Sequence, residues 1–516
     1  MAFTRVYSST LVGINALKVE VEVNVTPGLG MFLVGLPDSA VKESQERVRS
    51  AFENSGLRMV GKKVVVNLAP ADLKKEGSAL DLPIAIAILA ATEQVENEGL
   101  ERWIIAGELS LDGSVKPIRG ALPMAIEAAQ SGFRGVILPR ENAEEAAVVE
   151  SLEVIGVGNL REAVDFLSGT RPIAPTKVEV QALFEERANR YAEDFADVKG
   201  QEYVKRALEV AAAGGHNIVM IGAPGSGKTM LARRMPTIMP PLSLEEALET
   251  TKIHSVAGKL GSEKGLLSRR PFRSPHHLAS AVAMVGGGSN PQPGEISLAH
   301  NGILFLDELP EFGRSILEVM RQPLEDKVVT VARAKYSVAY PANFMLVASM
   351  NPCPCGYYNH PTKECNCSRH AVERYINKIS GPLMDRIDIQ IEVTPVEYAQ
   401  MNESAPAESS SAIRERVIAA REIQRQRFEG IEGVFTNAMM NSSMLAEFCP
   451  LDEGCRTLLG RAMERLSLSA RAYNRIVKVA RTIADLDQSE HITSAHIAEA
   501  IGYRNLDREN WGNRES

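Results

Sequence analysis

The eight residues Gly222, Ala223, Pro224, Gly225, Ser226, Gly227, Lys228 and Thr229 constrain this chain more than any other stretch. They fill the pattern G-x-x-x-x-G-K-[ST] and follow the apolar run Ile218-Val-Met-Ile221. Helical sequence, Met230-Leu-Ala-Arg-Arg234, comes directly after them. Strand, glycine-rich turn and helix N-terminus together make a nest of backbone N–H groups that holds a triphosphate. In such a nest the glycines let the backbone wrap the β-phosphate and Lys228 neutralises β/γ charge. The Thr229 hydroxyl is placed to ligate Mg²⁺. A chance glycine-rich turn would lack the strand before it and the helix after it.

A second element lies downstream. Ile303-Leu-Phe-Leu306 is a continuous apolar run ending in Asp307 and Glu308. Such a run suits a parallel strand covered on both faces, and ligands of open α/β sheets bind at the carboxyl ends of their strands. Asp307 is therefore expected to coordinate Mg²⁺, directly or through water, and Glu308 to polarise the attacking water. Alone, the run would read as an ordinary strand end. Behind a complete phosphate loop it predicts an α/β domain that hydrolyses a nucleoside triphosphate, with ATP and Mg²⁺ as cofactors.

The 516 residues exceed what one core usually supports, so several domains are expected. Residues 1–168 alternate strand-like and helix-like segments and predict a separate α+β or α/β domain. The proline-bearing stretch 169–189 reads as a joint, 190–398 as the nucleotide domain, and the serine-rich stretch 399–411 as a second linker. Residues 412–516 read as helical, with long runs over Ala412–Phe428 and from about Leu458 to Leu486. The net charge of -8 gives no global basic field for nucleic acid. The longest apolar run, Leu82–Ala91, has about half the length a membrane span needs. The N-terminus lacks the layout of a secretory signal, and a cytoplasmic protein without membrane contact is expected.

Four of the six cysteines fall within fifteen residues, as Cys353-Pro-Cys355 and Cys365-Asn-Cys367. Four thiolates in one short polar excursion predict a structural Zn²⁺ site rather than a disulfide framework. His360 and His370 are alternative ligands, although loop histidines are commonly just solvated. Val328–Tyr340 reads as two strands joined by a basic turn that carries Arg333, Lys335 and Tyr336. Exposed charges at such a turn are usually only solvated.

Other segments carry a family resemblance. Asp197-Val198-Lys-Gly200-Gln201 resembles the adenine-side sequence of AAA+ ATPases. Asn351 closes the apolar strand Phe344–Met350, where AAA+ proteins keep a sensor-1 polar residue near the γ-phosphate. Gly381-Pro-Leu-Met-Asp-Arg386-Ile-Asp388 resembles the segment that, in magnesium-chelatase-type and MCM-type proteins, carries an arginine acting on the neighbour's ATP. Arg369 and Arg374 are its competitors. Ser469-Ala-Arg471-Ala-Tyr-Asn-Arg475 resembles the start of a sensor-2 helix, with Arg471 or Arg475 as the sensor. With Arg270-Pro-Phe-Arg-Ser-Pro-His276-His277, the chain as a whole resembles the magnesium-chelatase-like AAA+ family, on its competence-associated branch-migration helicase branch.

That resemblance implies a homo-oligomeric ring, six subunits in the family, that translocates on single-stranded and branched DNA. It places the Val328–Tyr340 hairpin in the pore, making Arg333 and Lys335 phosphate contacts and Tyr336 a base-stacking residue. MoxR-type or chelatase-type remodelling is the alternative. The N-terminal region, through Gly107–Gly113, Pro117-Ile118 and Gly135–Asn142, resembles the C-terminal domain of RadA and the proteolytic domain of Lon. Ser78 stands near the place of Lon's nucleophile, but the lysine position reads Leu122 and Lys116 is out of pattern. A serine without a base is a poor nucleophile, so an inactive protease fold is expected.

Overall fold

The computed structural model describes residues 2–75, 77–182, 184, 191–260, 265–288, 291–332, 337–358, 360, 362–396, 407–466 and 468–504. Alternation of apolar and polar residues over Val19–Val25 forces one face of an extended chain inward. That chain is β2 (Asn15–Thr26), paired antiparallel along its length with β1 (Ala2–Val12). β3 (Met31–Val34), β4 (Lys63–Ala69) and β5 (Trp103–Ile105) follow. A small hairpin joins β6 (Glu108–Leu109) to β7 (Val115–Lys116), and β8 (Gly135–Pro139) and β9 (Glu153–Val157) complete the region. Seven of these strands make one mixed sheet in the order β3-β4-β2-β1-β5-β8-β9.

The helix Ser39–Asn54, capped by the Asp38 carboxylate, and the wholly apolar helix Asp81–Ala91 pack with Val6, Val21, Val23, Val64 and Val66 in one core. The helix Ala121–Gln130 joins Ala16, Ile104 and Val136 in a second.

The nucleotide region is built on five parallel strands, buried except at the partly exposed edge strand Phe272–Arg273 because helices and loops cover both faces. They are β10 (Ile218–Ile221), β11 (Phe272–Arg273), β14 (Ile303–Leu306), β17 (Met345–Met350) and β18 (Ile389–Glu392), in the order β11-β14-β17-β10-β18. Two hairpins leave this sheet. One pairs β12 (Gly286–Gly287) with β13 (Gln292–Pro293), inside the glycine- and proline-rich excursion that starts at Arg270. The other pairs β15 (Val328–Ala332) with β16 (Ser337–Pro341) from Val328↔Pro341 to Ala332↔Ser337. The expected DNA contacts Arg333, Lys335 and Tyr336, at its turn, lie outside the described residues.

The C-terminal helices differ from the sequence expectation at two points. The serine-rich tract expected as linker to 411 already starts the helix Ser410–Arg427, because the Ser409 hydroxyl accepts from Ala412 N. Ser410 is buried and its hydroxyl is bonded to Phe195 N and Thr237 Oγ1, which anchors that helix start to the core. The single run expected from Leu458 to Leu486 is two helices, Glu453–Arg465 and Ala470–Leu486, because the Ser469 side chain caps the second. Among the described residues no helix is long and apolar enough to cross a membrane.

A buried carboxylate ties these helices together. Asp485 receives Arg427 Nη2 at 2.5 Å and Arg481 Nε at 3.1 Å on one oxygen, and Arg427 Nη1 at 2.7 Å and Asn437 Nδ2 at 2.8 Å on the other. Removing one partner of a buried ion pair leaves the rest uncompensated. Asp485→Ala is expected to lower the stability of the helical region by about 3–5 kcal/mol. A urea titration that follows the first unfolding transition measures this.

Candidate nucleotide site

The loop after β10 is shaped by backbone crowding. A Cβ on Gly222 would lie 2.3 Å from the Val393 carbonyl oxygen, and Gly225 and Gly227 hold φ of +80° and +92°. Both conditions are met readily only by glycine. The helix Lys228–Ile238 then starts at the loop's end, so its unpaired N–H groups face the loop. Lys228 Nζ donates to the carbonyls of Gly222 (2.7 Å) and Ala223 (2.9 Å) and lies 3.5 Å from Asn351 Oδ1. Burial lowers the Lys228 pKa, and the carboxylates of Asp307 and Glu308 oppose that shift.

Thr229 Oγ1 donates to Asp307 Oδ2 at 2.9 Å, which joins the loop to the end of β14. The other Asp307 oxygen accepts from Glu308 N (3.1 Å) and from the Ser349 hydroxyl. Ser349 is a residue that sequence reasoning missed. No local sequence signal pointed to it, since it is the register Leu306↔Ala348 that sets the next residues of both strands side by side. A hydroxyl and a carboxylate in contact at a phosphate loop form the hard oxygen donor set that Mg²⁺ requires. The residues therefore fit the expected ion.

Glu308 has a left-handed backbone (φ 55°) and is half-exposed. Its Oε2 lies 3.4 Å from His277 Nδ1. The ring of His277 lies beside that of His276, with centroids 4.2 Å apart, and meets the Phe312 ring edge-on at 6.4 Å. The histidine pair was legible as unusual in sequence, but only the fold brings it to Glu308.

Of the expected adenine-side residues, Val198 is buried in the core and Gly200 has φ +66°. Gln201 reaches across to the loop: its Nε2 donates to Ser226 O and to Thr394 O, both at 2.9 Å. Its buried Oε1 has no partner in the structure and lies beside Gly227. That acceptor suits a ligand amino group.

The expected arginines stand elsewhere. β18 runs parallel to β10 from Ile218↔Ile389 to Ile221↔Glu392, so residues just before β18 lie at the end of the sheet opposite the phosphate loop. Arg386 is there, mostly buried, with Nη2 at 2.5 Å from Glu325 Oε1 and Nη1 donating to Pro382 O at 2.6 Å. Its partner is thus Glu325, neither Asp385 nor Asp388. Arg475 Nη1 bonds Asp388 Oδ1 at 2.8 Å, and Asn217 N donates to Oδ2 at 3.0 Å. Burial alone would raise the Asp388 pKa, but Arg475 and His216 hold it well below the usual carboxylate range. Arg471, 67 % exposed, lies 3.8 Å from Asp385. Both lid arginines therefore pack against the Arg386 segment. Arg369 and Arg374 make helix-surface contacts with Glu373 and His370.

Cys353, Cys355, Cys365 and Cys367 bring their sulfurs within 4.8 Å of one another. Individual separations are 3.3 Å (Cys353–Cys355), 3.7 Å (Cys353–Cys365) and 3.5 Å (Cys355–Cys365). A tetrahedron with Zn–S bonds of about 2.3 Å has edges of about 3.8 Å, and these spacings approach it. His360 instead accepts from Thr362 N and Lys363 N. In the N-terminal region the Ser78 hydroxyl donates to the Glu108 carboxylate, and Leu122 is fully buried.

Sheet order, phosphate loop and the acids after β14 define a P-loop domain of the AAA+ ATPase-like class. The model for "Magnesium chelatase, subunit ChlI" matches residues 194–401. Those for "Subunit ChlI of Mg-chelatase" and "Magnesium chelatase, subunit ChlI C-terminal" match 21–142 and 407–504. The uncharacterized protein YifB of Escherichia coli is 44 % identical over 515 residues, covering 98 % of each chain. Competence protein ComM of Haemophilus influenzae is 43 % identical over 513 residues, again 98 % of each. A shorter match, 29 % identical over 128 residues and 25 % of this chain, is to Lon protease 2 of Bacillus subtilis, of which it covers 23 %. The chain belongs to the magnesium chelatase subunit ChlI family.

The crowding at Gly222 is directly testable. Gly222→Ala is expected to weaken binding of a fluorescent ATP analogue by at least about tenfold, because the methyl group must displace the Val393 backbone. Equilibrium titration measures the loss.

Proposed function

We propose that this chain is an ATP-driven DNA translocase that works as a ring, promoting branch migration during recombination of incoming DNA. The observation that carries this reading is the separation of the phosphate loop from Arg386, Arg471 and Arg475. Arginines at the far end of the sheet cannot serve their own chain's nucleotide; Arg471 is exposed there, and Arg386 and Arg475 would reach a neighbour's site by leaving Glu325 and Asp388. Head-to-tail contacts of that kind close into a ring, and six subunits is the number proposed. The name of the Haemophilus influenzae relative, a competence protein, supports the DNA setting, and a cytoplasmic location is proposed with it.

The chain's own residues divide the work. The 222–229 loop, with Gln201 and Val198 on its adenine side, holds ATP. Thr229 and Asp307 hold Mg²⁺, which neutralises charge on the phosphates when bound. Lys228 and Asn351 orient the terminal phosphate, and Glu308 takes a proton from the attacking water. Arg386 meets the charge that develops at a neighbour's site. One of Arg471 and Arg475 assists, and Arg471 is the more accessible because Arg475 is held by Asp388.

The hairpin β15–β16 would present Arg333, Lys335 and Tyr336 to single-stranded DNA, and the four cysteines would hold a structural Zn²⁺. Residues 1–168 act as an inactive Lon-like collar, 190–398 as the motor with its cysteine insertion, and 412–516 as the lid. The match to Lon protease 2 supports the Lon-like fold of the collar, and Leu122 at the lysine position supports its being inactive. A chelatase-type remodelling motor is the second reading, favoured by the description of the family models.

DNA decides between the readings. Forked or four-way DNA is expected to stimulate hydrolysis and to be unwound, with Glu308→Gln inactive in both assays. Turnover indifferent to DNA would leave the remodelling motor. Arg386→Ala is expected to bind ATP normally and to lose about 10³–10⁵ in turnover. Undiminished turnover would remove the ring argument.

A further inference from the structure

The cysteine excursion does not stand apart from the nucleotide site. It begins immediately after Asn351, whose side chain faces Lys228, and it folds back onto the phosphate loop. Gly356, with φ +84°, lies so close to Pro224 that a Cβ there would be 2.6 Å from Pro224 Cδ. Pro352 and Tyr358 share one small cavity with Gly222, Ala223, Val393 and Thr394. The excursion thus forms a wall on the outer side of the loop.

Little apolar packing holds that wall in place. Of its four cysteines only Cys353 is buried, and the others are partly exposed. A polar loop of this kind takes its shape from a bound ion, because four sulfurs within 4.8 Å of one another are all held as thiolates only with a cation between them. The position of Gly356 against Pro224 then depends on the same ion.

We propose that the metal-held cysteine loop is a positioning wall for the phosphate loop, so that metal loading sets the affinity of this chain for nucleotide. The proposal rests on the zinc reading given above and adds a role that a merely structural site would lack. Loss of the ion releases Gly356 from Pro224, and the loop's N–H nest loses its preset shape. Nucleotide binding then bears the ordering cost that the wall otherwise removes.

Three full-length variants test it, each measured for zinc content by mass spectrometry and for affinity by titration with a fluorescent ATP analogue. Gly356→Val is expected to keep one zinc per chain yet bind nucleotide about tenfold more weakly, because the added side chain pushes the wall off Pro224. Cys365→Ser is expected to lose zinc and to weaken binding to a similar extent with an unchanged far-UV spectrum. Cys365→His, which restores a zinc ligand, is expected to recover both. Zinc-free Cys365→Ser with wild-type affinity would overturn the proposal, as would zinc-loaded Gly356→Val with wild-type affinity. Wild-type protein free of zinc would refute the metal reading, and a weakened Gly356→Val would then still support the wall contact.

Discussion

The nucleotide site depends on three parallel strands ending at one level. Ile221 is in register with both Met350 and Glu392, so the chain leaves β10 between two neighbours that also stop there. Gly222 N donates to Met350 O, and on the other side its Cα presses on the Val393 carbonyl. There is no room for a side chain, and the backbone must turn at once. Every polar feature of the site follows from that turn. It points the first N–H groups of the next helix at the loop, seats Lys228 against the carbonyls of Gly222 and Ala223 and sets Thr229 against Asp307.

Much of this was legible in the sequence because the relevant chemistry is local. The phosphate loop, the buried strand before Asp307 and the cysteine spacing are each read from fewer than about twenty contiguous residues, where periodicity and turn chemistry act directly. What was not legible depends on register or on distant packing. Ser349 reaches Asp307 only through the pairing of β14 with β17, and His277 reaches Glu308 only through the path of an irregular excursion. The serine-rich tract before 411 read as flexible from composition. Its serines instead cap a helix and fill polar positions against Phe195 and Thr237, and composition alone cannot distinguish the two uses.

Sheet polarity also decides which residues stand apart from the phosphate loop. In an all-parallel sheet, every crossover returns the chain to the same end, and the two ends hold different residues. The segment before β18 carries Arg386, and the helix Ala470–Leu486 brings Arg471 and Arg475 to that same end through Asp385 and Asp388. The Asp388 side chain has no exposure, accepts from Arg475 Nη1 and Asn217 N and lies 3.5 Å from His216 Nδ1, so Arg475 is held as a brace between the C-terminal helix and the core. The ion pairs of Arg471 and Arg475 thus join the Arg386 segment and the helix Ala470–Leu486 into one edge. If that edge meets a neighbour's phosphate loop, a change at that loop moves the lid and Arg386 together.

The N-terminal region is coupled to the nucleotide domain by a similar use of buried polarity. The Glu145 carboxylate accepts from Leu122 N and Asn142 Nδ2 within its own region and from the Ser255 hydroxyl on the helix Leu244–Ala257. Burial raises its pKa while those three donors oppose the rise. Leu122, Val148 and Val180 pack with Leu242, Ala247 and Leu266 around it. The same helix is bonded through Glu246 and Thr250 to Asn301, two residues before β14. A continuous path of buried contacts therefore runs from Asp307 along β14 to Asn301, through one helix, to Leu122. The position where the Lon resemblance expects a catalytic base is occupied by a packing residue in that path. A lysine at 122 would place an ammonium group in an apolar interface, at a cost of several kcal/mol. A proteolytic base and a rigid joint to the nucleotide domain cannot share this position, and the joint is what the structure builds.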